Sequence, residues 1–195
     1  MLRPIPGAID GKNPGNRLHI YTGKGKGKTT AAIGLAVRAV GANLRVAFLQ
    51  FDKGFEGLGE YYSERRILRQ LAGLDVYPFG VERILGPKTF RFKNTEADFE
   101  EARKALSRSE DLITQGKYEL VVLDELITCV MTRLVQPTDV THLIDLWEKE
   151  RKCELVITGH EAWPEILSRA DLVTEMRKVK HYHDRKQPPK EGIEF

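Results

Sequence analysis

The chain has 195 residues, of which 41% are hydrophobic and 30% charged, and its formal net charge is +3. That length supports a real core, and that composition excludes a disordered or fibrous chain. No apolar stretch approaches membrane-spanning length, no signal-peptide core stands at the start, and so mild a charge does not demand nucleic acid. The expectation is a cytoplasmic protein with neither a membrane nor a nucleic-acid partner. Residues 1–17 carry Pro4, Pro6, Gly7, Gly11, Pro14 and Gly15 and are expected to form a flexible arm ahead of a domain spanning 18–195. A first strand is predicted over 18–21. A glycine-rich loop follows, then an apolar helix to about Val40 that Gly41 caps. Residues 45–50 read as a strand buried on both faces. A loop with three glycines covers 51–59. Residues 60–71 look helical, 75–77 form a short strand, and 78–94 are irregular and hold Phe79, Phe90 and Phe92.

Thr95-Glu96-Ala97-Asp98 has the form of a helix start with acids in its first turn. That helix puts Phe99, Ala102, Ala105, Leu106, Leu112 and Ile113 on one face. A buried strand over 120–125, a helix over 137–150, a strand over 155–159, a short helix over 164–169 and a last strand over 172–176 complete the order. Trp147 is expected in the core. Residues 177–190 form a basic tail, read as a solvated surface segment. Cys129 and Cys153 stand far apart and read as buried reduced thiols. Strands alternating with helices predict an α/β fold: a single parallel sheet with helices on both faces.

The loop is Thr22-Gly23-Lys24-Gly25-Lys26-Gly27-Lys28-Thr29-Thr30. A glycine-rich turn between strand and helix directs backbone N–H groups toward a phosphate, and the helix N-terminus adds partial positive charge. Lys28 supplies a mobile cation and Thr29 a hydroxyl for magnesium. The usual pattern sets four residues between its first glycine and Gly-Lys-Thr. Counting back from Gly27 puts Thr22 at the first-glycine position, so the loop reads as one residue short. The strand 120–125 ends in Asp124 and Glu125, at the sheet edge where ligands bind in such folds. One of these carboxylates is expected to orient magnesium. These motifs allow ATP hydrolysis, phosphoryl transfer or another displacement on ATP, and residue type alone does not choose among them.

The loop, the helix residues Arg38-Ala39-Val40-Gly41, Gln50-Phe51 with Lys53-Gly54, and residues 121–126 resemble the ATP:corrinoid adenosyltransferases. Residues 156–159, Ala170-Asp171, Val179-Lys180-His181 and Gly192-Ile193-Glu194-Phe195 continue the likeness in order, over nearly all of 18–195. The resemblance implies that Co(I) of a reduced corrinoid attacks the 5′ carbon of ATP and that triphosphate leaves. It implies a single-domain α/β fold of the RecA-like phosphate-loop type, ATP and a corrinoid as substrates, Mg2+, a flavoprotein reductant and a homodimer. By position it assigns phosphate contacts to Gly23 through Thr30, magnesium to Thr29 and Glu125, catalytic roles to Lys28 and Glu125, and a place near the nucleoside to Arg38. The corrinoid can be cobyrinic acid diamide, cobinamide or cobalamin.

The chain departs from some relatives where a Gly-Phe-Thr-Trp stretch clears the lower face of cobalt. The tryptophan position falls on Phe90 and its aromatic companion on Lys88. Phe90 and Phe92 are therefore candidates for corrinoid contact, and His160, after a strand end near the site, is a third. A helix covering the corrinoid is not legible in residues 1–17. His19 reads as structural, and His181 with His183 lacks a third metal ligand. A phosphate-loop ATPase or small-molecule kinase is the alternative enzyme. An ATP-binding regulator whose basic tail meets nucleic acid is the alternative binding protein.

Overall fold

A computed structural model describes residues 15–55, 60–86 and 89–195. Most of the expected arm, and Lys88, fall outside the described residues. The elements are β1 (Leu18–Thr22), α1 (Lys28–Gly41), β2 (Val46–Gln50), α2 (Ser63–Leu68), β3 (Leu74–Pro78), β4 (Ile84–Gly86) and β5 (Thr89–Phe90). They continue with α3 (Glu96–Thr114), β6 (Leu120–Asp124), α4 (Leu126–Met131), α5 (Pro137–Glu150), β7 (Glu154–Thr158), α6 (Pro164–Arg169) and β8 (Leu172–Glu175).

Six strands make one parallel sheet in the order β3-β2-β6-β7-β1-β8, as the alternation of strands and helices predicts. Side chains alternate across it. Leu18, Ile20, Ala47, Leu49, Val121, Leu123, Leu155 and Ile157 face a core shared with α3, α4, α5 and α6. Val46, Phe48, Leu120, Val122 and Val156 face the opposite core, shared with α1 and α2. Both faces are therefore covered, which explains why these strands read as continuous apolar runs. Each fully buried aliphatic side chain contributes about 1.5–3 kcal/mol. Trp147 is fully buried, and its Nε1–H donates to Cys153 O at 2.8 Å. Both cysteines are free and buried.

Local chemistry accounts for the longer helices. At α3, Thr95 and Asp98 form a capping box, with the Thr95 N–H donating to the Asp98 carboxylate at 2.7 Å. Gln136 and Asp139 do the same at α5, where Pro137 opens the first turn.

Five details differ from the sequence reading. Gly41 is the last residue of α1, and the chain reverses at Asn43 with φ 62°. α1 meets the sheet through the small side chains Ala32, Ala36 and Ala39, whereas Val37 is exposed, so its apolar surface is not all buried. The expected helix over 60–71 shortens to α2. Residues 78–94 contain the antiparallel hairpin β4–β5, and α4 follows β6 directly, because Glu125 at φ 64° turns the chain without a linker.

Candidate nucleotide site

The strands β1, β2, β6 and β7 end side by side in Thr22, Gln50, Asp124 and Thr158. Beyond this edge lies a cavity of about 670 Å³, lined by the loop residues Lys24 through Thr30, by Lys53, Tyr62, Glu125 and His160, and by residues 192–195.

The loop is built on neighbours distant in sequence. The Gly23 N–H donates to His160 O at 2.8 Å and the Gly25 N–H to Met176 O at 2.6 Å. A Cβ on Gly23 or Gly25 would lie 2.5 or 2.6 Å from that same Met176 oxygen. These two glycines are thus demanded by the chain leaving β8. Their amides are spent on protein carbonyls, contrary to the expectation that they point at phosphate. Gly27 differs: it has φ 117° and open space where a Cβ would sit. The loop's shortness fits this anchoring, and the free N–H groups concentrate at the start of α1, whose first amides have no intrahelical acceptor.

Lys28 is buried, and its Nζ donates to Gly23 O and Gly25 O, both at 2.9 Å. Burial lowers its pKa, opposed by Glu125 and Asp124. Lys24 reaches outward to Glu161 at 2.9 Å, in an exposed pair. Thr22 is buried; its hydroxyl donates to His160 O at 3.1 Å and accepts from the Ala162 N–H at 3.0 Å. Thr22 therefore ties the loop's base to the strand end of β7.

The two acids at the end of β6 have different surroundings. Asp124 is fully buried and accepts from Lys53 Nζ at 2.8 Å and from the Thr158 hydroxyl at 2.8 Å. Burial alone would lower the pKa of Lys53, but Asp124 and Glu125 outweigh it and push it up to about 12. Asp124 is thus neutralised in place. Glu125 lines the cavity opposite the loop, with its carboxylate taking the Thr128 hydroxyl and its N–H donating to Thr158 Oγ1 at 2.9 Å. A hydroxyl at Thr29 and one carboxylate at Glu125 suit Mg2+, which takes few protein ligands and fills the rest with phosphate and water. Among the described residues, no group of three or more His, Cys, Asp or Glu side chains gathers as a metal site of its own.

The remaining candidates disperse. Thr30 lines the cavity, but Arg38 does not. Arg38 is exposed, ten residues after Lys28 and thus about 15 Å along the helix axis. His160 lines the cavity wall, and burial together with Lys28 lowers its pKa. Phe90 and Phe92 lie in and after β5, with ring centroids 4.8 Å apart. Both are exposed, Phe92 to 85%. Phe90 also borders a smaller cavity of about 210 Å³ that shares Lys53, Tyr62 and Glu125 with the first.

Sequence reading gave Lys53, Tyr62 and Glu194, and Ile33 of α1, which also lines the cavity, no role at this site. The one signal for Lys53 and Glu194 was their presence in the stretches that carry the family likeness.

A family model, that of ATP:corrinoid adenosyltransferase BtuR/CobO/CobP, matches residues 15–195. The chain is 33% identical over 178 residues to the corrinoid adenosyltransferase of Escherichia coli, covering 90% of this chain and 84% of that protein. It is 33% identical, with the same coverage, to the corrinoid adenosyltransferase CobA of Salmonella typhimurium. The corrinoid adenosyltransferase of Pseudomonas aeruginosa is 30% identical over 179 residues, covering 91% of this chain and 83% of that protein.

Proposed function

The chain belongs to the ATP:corrinoid adenosyltransferase family, a family of transferases, and from that premise we propose that it joins the 5′ carbon of ATP to the cobalt of a reduced corrinoid. In this reading the Co(I) electron pair forms the cobalt–carbon bond while the 5′ carbon–oxygen bond breaks, and that oxygen departs with its electron pair as part of triphosphate. Co(I) is nucleophilic without help, so no residue has to remove a proton. The observation that carries the reading is the cavity in which Lys28, Thr29 and Gly27 face Glu125.

The residues then have distinct tasks. Lys28 exchanges the carbonyls of Gly23 and Gly25 for phosphate oxygens, which accept more strongly from an ammonium. The first amides of α1 hold the same phosphates. Thr29 and Glu125 hold Mg2+, which supplies charge neutralisation on the leaving triphosphate. Lys53 keeps Asp124 occupied and leaves Glu125 as the carboxylate available to the ion. Phe90 and Phe92 offer an apolar surface for the corrinoid. The reading includes a flavoprotein reductant and a homodimer, both carried by the family likeness. The buried free thiols of Cys129 and Cys153 suit a reducing cytoplasm.

Phosphorus NMR of the products tests this reading. With Co(I) corrinoid and Mg-ATP, the expected products are intact triphosphate and a light-sensitive cobalt–carbon bond. A kinase or ATPase leaves ADP instead. ADP as the main product, with no change in the corrinoid spectrum, would refute the proposal.

A further inference from the structure

Lys26 is the one loop lysine whose partners all lie in residues 182–194. Its Nζ donates to Tyr182 Oη at 3.1 Å, to Ile193 O at 2.7 Å and to Glu194 Oε1 at 2.7 Å. An ammonium has three donors, so Lys26 keeps none for a phosphate. Glu194 is gripped as firmly: its carboxylate also accepts from the Tyr182 hydroxyl and from the Lys190 N–H at 2.6 Å. One residue on, the Phe195 ring lies parallel to Tyr61, with centroids 4.4 Å apart and 4° between planes. Arg66 of α2 reaches Glu191 at 3.3 Å. Residues 191–195 therefore bridge the loop after β1 and the region around α2, on opposite sides of the cavity mouth.

The bridge does not fill what it spans. Residues 192–195 line a cavity that still measures about 670 Å³ and still reaches Gly27, Lys28, Thr29 and Glu125. That volume lies in the range of small-molecule sites. A plug would occupy the loop's cationic groups, whereas this segment takes only Lys26 and leaves Lys28 to its two backbone carbonyls. With Lys26 beside it, Glu194 brings no unpaired negative charge to the mouth of an anion site. Covering the mouth also sheds water, which strengthens the remaining charge contacts within.

We propose that Glu194 and Phe195 are positioning residues for a nucleoside triphosphate: by gripping Lys26 and stacking on Tyr61 they hold residues 192–195 as a roof over the loop. The proposal rests on the nucleotide reading of the cavity given above. It gives Lys26 the task of anchoring the roof, not of binding phosphate.

The test is calorimetric titration of the full chain with Mg-ATP, followed by steady-state kinetics. Glu194→Gln and Phe195→Ala should each weaken Mg-ATP binding by about ten-fold, the effect expected for one charge-assisted contact or one stacked pair at a pocket mouth. The rise should appear in KM for ATP, with kcat at saturating ATP and KM for the corrinoid unchanged. Phe195→Tyr keeps the stacked ring and should bind as the parent does. Tighter binding by Glu194→Gln would overturn the proposal, because the carboxylate would then be competing with phosphate for Lys26. Unchanged affinity in both weakening variants would overturn it too. So would a loss shared equally by ATP and corrinoid with a lowered melting temperature, which marks a merely structural role. Failure of the parent chain to bind Mg-ATP would refute the nucleotide reading, and the roof with it. Binding by the parent with unaltered variants would refute the roof alone.

Discussion

Lys28 carries two duties that one substitution separates. In the described structure it satisfies the Gly23 and Gly25 carbonyls, and in the proposed reaction it meets the departing triphosphate. Lys28→Ala should therefore leave the fold standing and cost on the order of 2–4 kcal/mol of transition-state stabilisation, about 30- to 1,000-fold in kcat. Near-normal turnover in a folded variant would remove Lys28 from the mechanism. Neighbouring residues show what sequence reading reaches and what it does not. The pattern of glycines and lysines announces a phosphate loop, but it cannot say that Gly23 and Gly25 answer to Met176, some 150 positions further on. Nor can it pair Lys53 with Asp124, which are 71 positions apart. Local composition marks residue types; which of them are already engaged is decided by the tertiary fold.

At the scale of elements, the hairpin β4–β5 is held to the rest of the fold by charge. Arg83 holds Asp52 through its Nε at 2.6 Å and Asn94 at 2.9 Å, while Arg91 grips the buried Asp98 at 2.9 Å. This network ties the aromatic hairpin to the first turn of α3. Burial alone would raise the pKa of the Asp98 carboxyl, but Arg91, Thr95 and Arg83 outweigh it and hold it far below the ordinary range. A depressed carboxylate stabilises fully above its unfolded value of about 3.9 and loses that contribution progressively as pH falls from there through its lower folded value. Asp98→Asn should cost about 3 kcal/mol in urea denaturation at pH 7, because it leaves the Arg91 guanidinium without its carboxylate partner. The difference from the parent should shrink below about pH 4. Equal stability at pH 7 would discount the network. Phe90→Ala or Phe92→Ala should reduce activity that starts from Co(II) more than activity from pre-reduced Co(I), if their exposed rings clear the lower face of cobalt. Equal losses in the two assays would make both residues structural. The hairpin itself escaped sequence reading because strands of three and two residues are too short to show alternation. α4 escaped because Leu126–Met131 is apolar with little polar face, and periodicity cannot tell such a run from more strand.

For the molecule as a whole, the alternation of buried strands with amphipathic helices sufficed to predict the parallel sheet and its two covered faces. The strand order was not legible, since it depends on pairings across the chain. Nor was the return of residues 191–195 to the loop: the sequence marks 192–195 only through the family likeness, and one of the acceptors for Lys26 is a backbone carbonyl that no side-chain pattern records. The order β7-β1-β8 has a bearing on how the protein is made. β1, which carries the loop, has the last two strands of the sheet as its neighbours, and Leu18 pairs with Leu155 while His19 pairs with Leu172. Contacts of such sequence separation form late, after their loop-closure entropy has been met. A chain emerging from the ribosome therefore carries its phosphate loop for most of synthesis without the β-strands that shape it. Nucleotide should not speed the early collapse; it should trap the closing step, adding about 2.7 kcal/mol of stability at one hundred times Kd. Refolding followed by tryptophan fluorescence should show Mg-ATP slowing unfolding while leaving the folding rate nearly unchanged. An accelerated folding phase would mean that the loop is shaped early, without β7 and β8.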